Sequence, residues 1–326
     1  MILAGDVGGT KVSVGIFGPG DGRRPQVLRQ AVYAGDDYRG LADILLDFLG
    51  DGAEEVALAC FGVAGPVIDN AADLPNIRWG HVDGGRVAAA VGLSEVLLIN
   101  DLVATAEGIP ALAGDELQVL QEGEELGGTA ALIAAGTGLG MALLPESGRG
   151  RPLPSEGGHA GFAPRTLEDT DLVRHLIRRF GHQPAIEMIV SGPGLVHAYD
   201  YLRDSGVAPE REEVRRQMAA GDPAEAISEA ALADACPLCA RALALFVGAY
   251  GSVAGDLALI GLATAGLYVG GGIAPKILPR LADGSFLAAF LDKGDYRPFM
   301  ERIPVRVILN PEAGLLGAAR RGFSAL

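Results

Sequence analysis

Leu97-Leu98-Ile99-Asn100-Asp101 is the stretch on which the fold turns: three aliphatic residues run straight into an amide and a carboxylate. A short uninterrupted apolar run suits a strand covered on both faces, so residues 96–99 read as a buried strand. Leu102-Val103-Ala104-Thr105-Ala106-Glu107 has helical character, which puts Asp101 where a strand ends and a helix begins. In open α/β sheets that carboxyl end is where ligands bind. An aspartate fixed there by two rigid elements is placed to take a proton. The competing reading of the same residue is a helix cap, since Asp and Asn are both favoured caps.

Toward the N-terminus, residues 2–6 read as a strand, Val7-Gly8-Gly9-Thr10 as its turn, and residues 11–17 alternate like a second strand. Glycines at a hairpin tip leave backbone N–H groups open for phosphate oxygens. Asp6 beside that tip is a candidate magnesium ligand acting through water, and Thr10 and Lys11 add a hydroxyl and a charge. An ordinary hairpin has the same pattern. Residues 43–49 have helical spacing, 55–60 read as a strand, and Gly62-Val63-Ala64-Gly65-Pro66 as the loop after it. Leu74-Pro75-Asn76-Ile77-Arg78-Trp79 reads as a loop, in which Asn76 is a candidate substrate contact or a plain turn residue. Residues 85–91 are helical. Alternating strands and helices imply an α/β layer, with a boundary at Gly108-Ile109-Pro110.

Beyond the boundary, residues 129–135 form another buried-strand pattern, Gly136-Thr137-Gly138-Leu139-Gly140 turns it, and 141–144 lead away. This repeats the N-terminal strand, glycine loop, strand, and is the nearest thing to an internal repeat. Two such hairpins gripping one polyphosphate are a more specific signal than either alone. Residues 149–165 are polar and glycine-rich, hence loop; in them Glu156 and His159 are candidates to hydrogen-bond hydroxyls, or less plausibly to ligate a metal. Leu172, Leu176 and Phe180 mark an amphipathic helix. Glu187, which alone reads as a solvated surface residue, precedes Ser191-Gly192-Pro193-Gly194, which opens another helix. Residues 226–259 are mostly helical, with Cys239, Leu243, Phe246, Tyr250, Val253 and Leu257 on one stripe. Residues 266–269 are a strand, and Gly270-Gly271-Gly272-Ile273 allows a ring or ribose close to the backbone. Residues 305–309 are the last strand. Asn310-Pro311-Glu312 starts a helix that Gly322 ends.

Composition limits the functions on offer. The chain has 326 residues, 49% of them hydrophobic, with 48 glycines and a formal net charge of −15. That length favours two domains. The acidic balance argues against nucleic acid and against anionic membrane surfaces, both of which need basic patches. It does not exclude ATP, whose phosphates backbone N–H groups and a metal ion can carry. The three cysteines, Cys60, Cys236 and Cys239, do not suggest a disulfide framework, and the CxxC pair reads as buried residues opening a helix. Residues 257–275 are uncharged, close to membrane-spanning length. Their five glycines make them a helix end, a loop and a strand, so a soluble, cytoplasmic protein is expected.

The combination resembles the zinc-free bacterial glucokinases of the hexokinase and actin-like ATPase superfamily. Its carriers are Gly5-Asp6-Val7-Gly8-Gly9-Thr10, Ile99-Asn100-Asp101, Gly136-Thr137-Gly138-Leu139-Gly140 and Ser155-Glu156-Gly157-Gly158-His159. Glu187 with Ser191-Gly192-Pro193-Gly194, Gly270-Gly271-Gly272-Ile273 and Pro311-Glu312-Ala313-Gly314-Leu315-Leu316-Gly317 complete the set. The resemblance implies two ribonuclease-H-like α/β domains flanking a central cleft: a smaller one of residues 1–110 plus 312–326 and a larger one of 111–311. It implies ATP-dependent phosphorylation of glucose at the 6-hydroxyl, the first step of glycolysis, in a homodimer, with Asp101 as general base. Asn76 is a further candidate sugar contact. By the resemblance, glucose is bound by Asn100, Asp101, Glu156, His159 and Glu187. Phosphates and magnesium fall to Asp6, Gly8, Gly9 and Thr10 and to Gly136, Thr137 and Gly138, and adenosine to Gly271 and Gly272. Lys11 stands where some glucokinases have asparagine. The cysteine-rich zinc motif of the related repressor and sugar-kinase group is missing after His159, so no zinc is expected.

Overall fold

A computed structural model describes the chain apart from Thr10, residues 51–55, Pro75, Asn76, Glu125 and Arg149. The expectations for Thr10 and Asn76 therefore lie outside the described residues. The chain divides into two compact units. The first comprises Met1–Glu116, Gly148–Pro154 and Asn310–Leu326; the second comprises Leu117–Ser147 and Ser155–Leu309. The first unit extends past Pro110 because Glu116 is tied within it: Arg24 donates to its carboxylate at 2.6 Å and Asn310 Nδ2 at 2.6 Å.

In the first unit, strands β1 (Ile2–Val7), β2 (Lys11–Gly18), β3 (Gln26–Ala34) and β4 (Leu58–Val63) join a sheet. A small hairpin follows, β5 (Ala71–Leu74) with β6 (Gly80–Asp83), and then β7 (Val96–Asn100). The sheet order is β3-β2-β1-β4-β7, antiparallel across β1, β2 and β3 and parallel from β1 through β4 to β7. Alternation within β1 and β2 sends Leu3, Val12, Val14 and Ile16 to one face, covered by Ile44, Leu45 and Phe48 of helix α1 (Leu41–Leu49). The other face, with Ile2, Ala4, Phe17 and Leu58, is covered by Leu315, Leu316, Ala318 and Ala319 of the terminal helix, Ala313–Ala325. Helices α2 (Gly84–Val91) and α3 (Asp101–Gly108) flank β7.

The second unit repeats this plan. Strand β8 (Leu117–Gln121) precedes the hairpin β9 (Ala130–Ala135) and β10 (Leu139–Leu144); after β11 (Leu153–Ser155), whose first two residues fall in the first unit, β12 (Gly266–Gly270) and β13 (Val305–Ile308) come later. The order β10-β9-β12-β13-β8 again places an antiparallel hairpin beside two parallel neighbours. Its helices are α4 (Leu167–Phe180), α5 (Gly192–Asp204), α6 (Glu212–Ala220), α7 (Pro223–Leu232), α8 (Pro237–Ile260), α9 (Ile273–Lys276), α10 (Leu278–Leu281), α11 (Ser285–Phe290) and α12 (Arg297–Met300); α13 is the terminal helix of the first unit. Helix α8 is long and apolar enough to cross a membrane by length and composition. The predicted stripe from Cys239 to Leu257 is buried in this unit's core throughout.

Several local readings shift. The strand expected at 55–60 is β4, so Gly62 and Val63 belong to a strand and not to the loop after it; a glycine in the sequence suggested a turn, but neighbours on both sides bury it. Strand β3 is an edge strand with no fully buried residue, which is why it left no hydrophobic period. The helical run at 226–259 is two helices, broken before Cys236, whose Sγ caps α8 by accepting from Cys239 N. Phe180 is exposed at the end of α4, while Leu172 and Leu176 are buried as expected. The terminal helix begins at Ala313, because Asn310 Oδ1 accepts from Glu312 N and holds that segment as a turn. It runs through Gly322, where a Cβ would stand 2.5 Å from Ile2 Cγ2: this glycine is there for close packing, not to stop the helix.

Candidate active site

Each unit carries its own part of the chemistry. In the first, β7 delivers Asn100 and Asp101 to the start of α3. Asn100 is the cap: its Oδ1 accepts from Leu102 N and Val103 N, and its Nδ2 donates to Gly65 O at 3.1 Å. The cap reading thus belongs to Asn100, leaving one Nδ2 hydrogen for a ligand. Asp101 is the first helical residue, with Oδ1 also accepting from Leu102 N at 2.9 Å. Both are partly exposed, at the end of a strand in which Val96 and Leu98 are buried while Leu97 and Ile99 are half-buried, so the expected strand buried on both faces is buried on one.

Asp6 is the penultimate residue of β1 in the same sheet, and its carboxylate occupies a niche made by missing side chains. A Cβ on Gly314, at the start of α13, would lie 3.1 Å from Asp6 Oδ2; one on Gly62 of β4 would lie 3.7 Å from Asp6 Oδ1 and 3.6 Å from Asp101 Cα. Burial, and secondarily the charge of Asp101, push the Asp6 carboxyl up to about 6. Two neighbouring carboxylates in a partly closed niche suit a divalent cation. Two carboxylates alone could hold only an ion that takes the rest of its shell from water or other oxygens. The hairpin tip is held by Gly8 N donating to Lys11 O at 2.9 Å; Gly8 and the Lys11 side chain are exposed and Gly9 half-buried.

In the second unit Glu156, His159 and Glu187 converge. Glu156 precedes the short 3-10 turn Gly157–His159, and Glu187 lies in the turn Ile186–Met188. His159 Nδ1 is 3.6 Å from Glu156 Oε2 and its Nε2 is 3.5 Å from Glu187 Oε1. Glu187 is not the solvated surface residue its local sequence suggests. Its Oε2 accepts from Leu139 N at 3.3 Å, and a Cβ on Gly138 would stand 2.9 Å from that oxygen. The β9–β10 loop is thus built against the carboxylate. Three groups that accept or donate on one face can bind a polyhydroxylated ligand.

The same loop borders a cavity of about 580 Å³, within the size range of small-molecule sites. Gly136, Thr137 and Gly272 all line it, so the β9–β10 loop and the glycine turn after β12 meet there; Leu195, Val196, Ile273 and Ile277 supply apolar wall. Gly271 has φ +83°, and a Cβ there would run into the Ala135 carbonyl. The two loops leave neighbouring strands whose ends are pinned by Tyr250. Its fully buried hydroxyl donates toward Ile133 O and Gly270 O and accepts from Ala135 N, each at 3.3 Å. Sequence reasoning read Tyr250 only as core and Gly62 only as a loop residue; Gly314 stood in a quoted motif without a role. The cavity's charged rim, Arg179, Asp200, Asp222, Glu225 and Lys276, left no local signal because it comes from four separate helices.

The chain matches the family model described as Glucokinase over residues 3–322. A glucokinase of Nostoc punctiforme is 40% identical, the match covering 98% of this chain and 98% of that protein. One of Yersinia pestis is 35% identical, covering 97% and 94%. Among solved structures, a glucokinase from an Antarctic psychrotroph is similar with a TM-score of 0.85 at 28% identity, covering 99% and 98% of the two chains. A ROK family glucokinase from Streptomyces griseus, solved in complex with glucose and AMPPNP, is similar at a TM-score of 0.68 and 26% identity, covering 99% of each. A strand-end aspartate beside a second carboxylate, a carboxylate–histidine cluster and a glycine-lined cavity thus accompany full-length similarity, and the chain belongs to the glucokinase family.

Proposed function

We propose that this protein transfers the terminal phosphoryl group of ATP to the 6-hydroxyl of D-glucose, with Asp101 as general base. The observation that carries the base assignment is the division of labour at the end of β7. Asn100 supplies the helix cap, so capping does not account for the carboxylate that follows it. In the reaction the 6-hydroxyl oxygen forms the new P–O bond, its proton passes to Asp101, the bond between the β- and γ-phosphates breaks, and ADP leaves. Glu156, His159 and Glu187 orient the sugar through its hydroxyls. The Thr137 and Gly138 N–H groups of the β9–β10 loop and the Gly9 N–H of the first hairpin tip cradle phosphates, while the Gly8 and Gly136 N–H groups close their own turns onto Lys11 O and Gly138 O. Asp6 would hold magnesium through water; the bound ion would neutralise charge on the phosphates. Such transfers depend on positioning and charge neutralisation more than on covalent help.

The glucose-bound and AMPPNP-bound relative supports both substrates, AMPPNP being an ATP analogue. The test is a coupled assay for glucose 6-phosphate with ATP and magnesium, run beside a panel of other hexoses and amino sugars. Production from glucose with the highest kcat/KM is expected; turnover of another sugar alone would overturn the assignment.

A further inference from the structure

We infer that Glu225, held by Lys276, is the group that selects a ribonucleotide as phosphoryl donor by accepting hydrogen bonds from its ribose diol. The inference rests on the reading of the second unit's cavity as the nucleotide site. Three carboxylates line that cavity. Asp200 is nearly buried and occupied, with Arg179 Nη1 at 2.8 Å and Arg203 Nη1 at 3.0 Å. Asp222 caps α7, its Oδ1 accepting from Ala224 N at 2.9 Å. Glu225 is different. It stands on the first turn of α7, and its partner is Lys276 Nζ at 2.6 Å from Oε1.

That pair joins α7 to α9, the short helix that begins directly after Gly272, and both of its residues line the cavity. Its side chains are 45% and 59% exposed, which places the bridge at the mouth, in water. A flat base gains by burying itself between Leu195, Val196, Ile273 and Ile277. The ribose, joined to both base and phosphates, then falls at the hydrated rim. An ionised carboxylate accepts only, and a vicinal diol supplies two donors to it; a lysine ammonium donates only and fixes the carboxylate's direction. Two neutral polar groups facing the cavity are engaged elsewhere: Ser228 Oγ donates to Glu225 O, and His197 Nδ1 lies 2.8 Å from Met188 O.

The experiment compares ATP with 2′-deoxy-ATP and 3′-deoxy-ATP as donors to glucose, in wild type, Glu225→Gln, Glu225→Asp, Lys276→Met and Val196→Trp. Wild type is expected to favour ATP by about tenfold in kcat/KM over at least one deoxy analogue, the size of one hydrogen bond to a charged group. The difference should lie chiefly in KM. Glu225→Gln should lose most of that preference, Glu225→Asp should keep part of it, and Lys276→Met should weaken it. Equal use of ATP and both analogues by wild type, or an unchanged preference in Glu225→Gln, would overturn the inference. So would Lys276→Met raising KM equally for all three donors, which would place the lysine on phosphate. Val196→Trp fills the cavity: if KM for ATP does not rise there, the nucleotide binds elsewhere and the reading beneath the inference fails instead.

Discussion

At the scale of single residues, Asp6 and Asp101 do opposite things to the folded protein. Asp101 sits at the partly exposed end of β7, and under the proposed mechanism replacing it removes the base and not a core contact. Asp101→Ala should lower kcat by at least about a hundredfold, a typical loss for a general base, with an unchanged melting curve. Near-native turnover would show that the carboxylate is only part of the helix start. Asp6 is held ionised at a cost. Its carboxyl is raised from an ordinary 3.8 to about 6 by burial and by Asp101. Below pH 3.8 folded and unfolded chains both carry the proton, and this group makes no difference. As pH rises toward 6 the unfolded chain loses it first, so stability falls, and the deficit persists at neutral pH. Asp6→Asn should therefore stabilise the protein at pH 7 by about 1–3 kcal/mol, flatten its stability between pH 4 and 6, and abolish turnover. Chemical denaturation across that range checks the sign; a variant less stable at pH 7 would contradict it.

At the scale of elements, the first unit's site depends on how closely α3 and α13 cross. A Cβ on Gly317 of α13 would run into the Ala104 carbonyl of α3 and stand 2.6 Å from Gly108 N. Alanine in a helix interior ordinarily gains up to about 1 kcal/mol over glycine. Here overpacking, which costs about 1–3 kcal/mol, should win: Gly317→Ala should destabilise in urea. Because α3 begins at Asp101 and Gly314 of α13 lines the Asp6 niche, kcat should fall with stability. A stabilised, fully active Gly317→Ala protein would mean the helices can part without consequence.

At the scale of the whole molecule, the chain leaves the first unit after Glu116, rejoins it at Gly148–Pro154, builds the rest of the second, and returns at Asn310 to finish the first. The terminal helix supplies one entire cover of the first sheet, through Leu315, Leu316, Ala318 and Ala319. The second unit's core draws nothing from that helix. Truncation after Leu309 should thus cost the first unit its fold and spare much of the second. Trp79, the single tryptophan, reports on the first: its Nε1 donates to Gly35 O and Tyr38 O. The truncated chain should show a red-shifted Trp79 emission while most helical circular dichroism persists, since the long helices belong to the second unit. A native Trp79 spectrum would show that the first sheet tolerates an uncovered face.

Local rules were enough for the strand-to-helix junction at Asp101, both glycine hairpins, the helix after Ser191 and the buried stripe of α8, because each is written in a period of two or 3.6 residues or in a cap within a few positions. The polar, glycine-rich loop made Glu156 and His159 candidate hydroxyl contacts, and the family resemblance alone made Glu187 one. Tertiary structure alone decided that Asp6 lies beside Asp101 in a niche left by Gly62 and Gly314, that Glu187 is built into the β9–β10 loop, and that Thr137 and Gly272 border one cavity with Glu225 and Lys276 at its mouth. Those contacts join residues tens to hundreds of positions apart. They arise from which faces the sheets and helices bury against one another, and no local pattern encodes that choice.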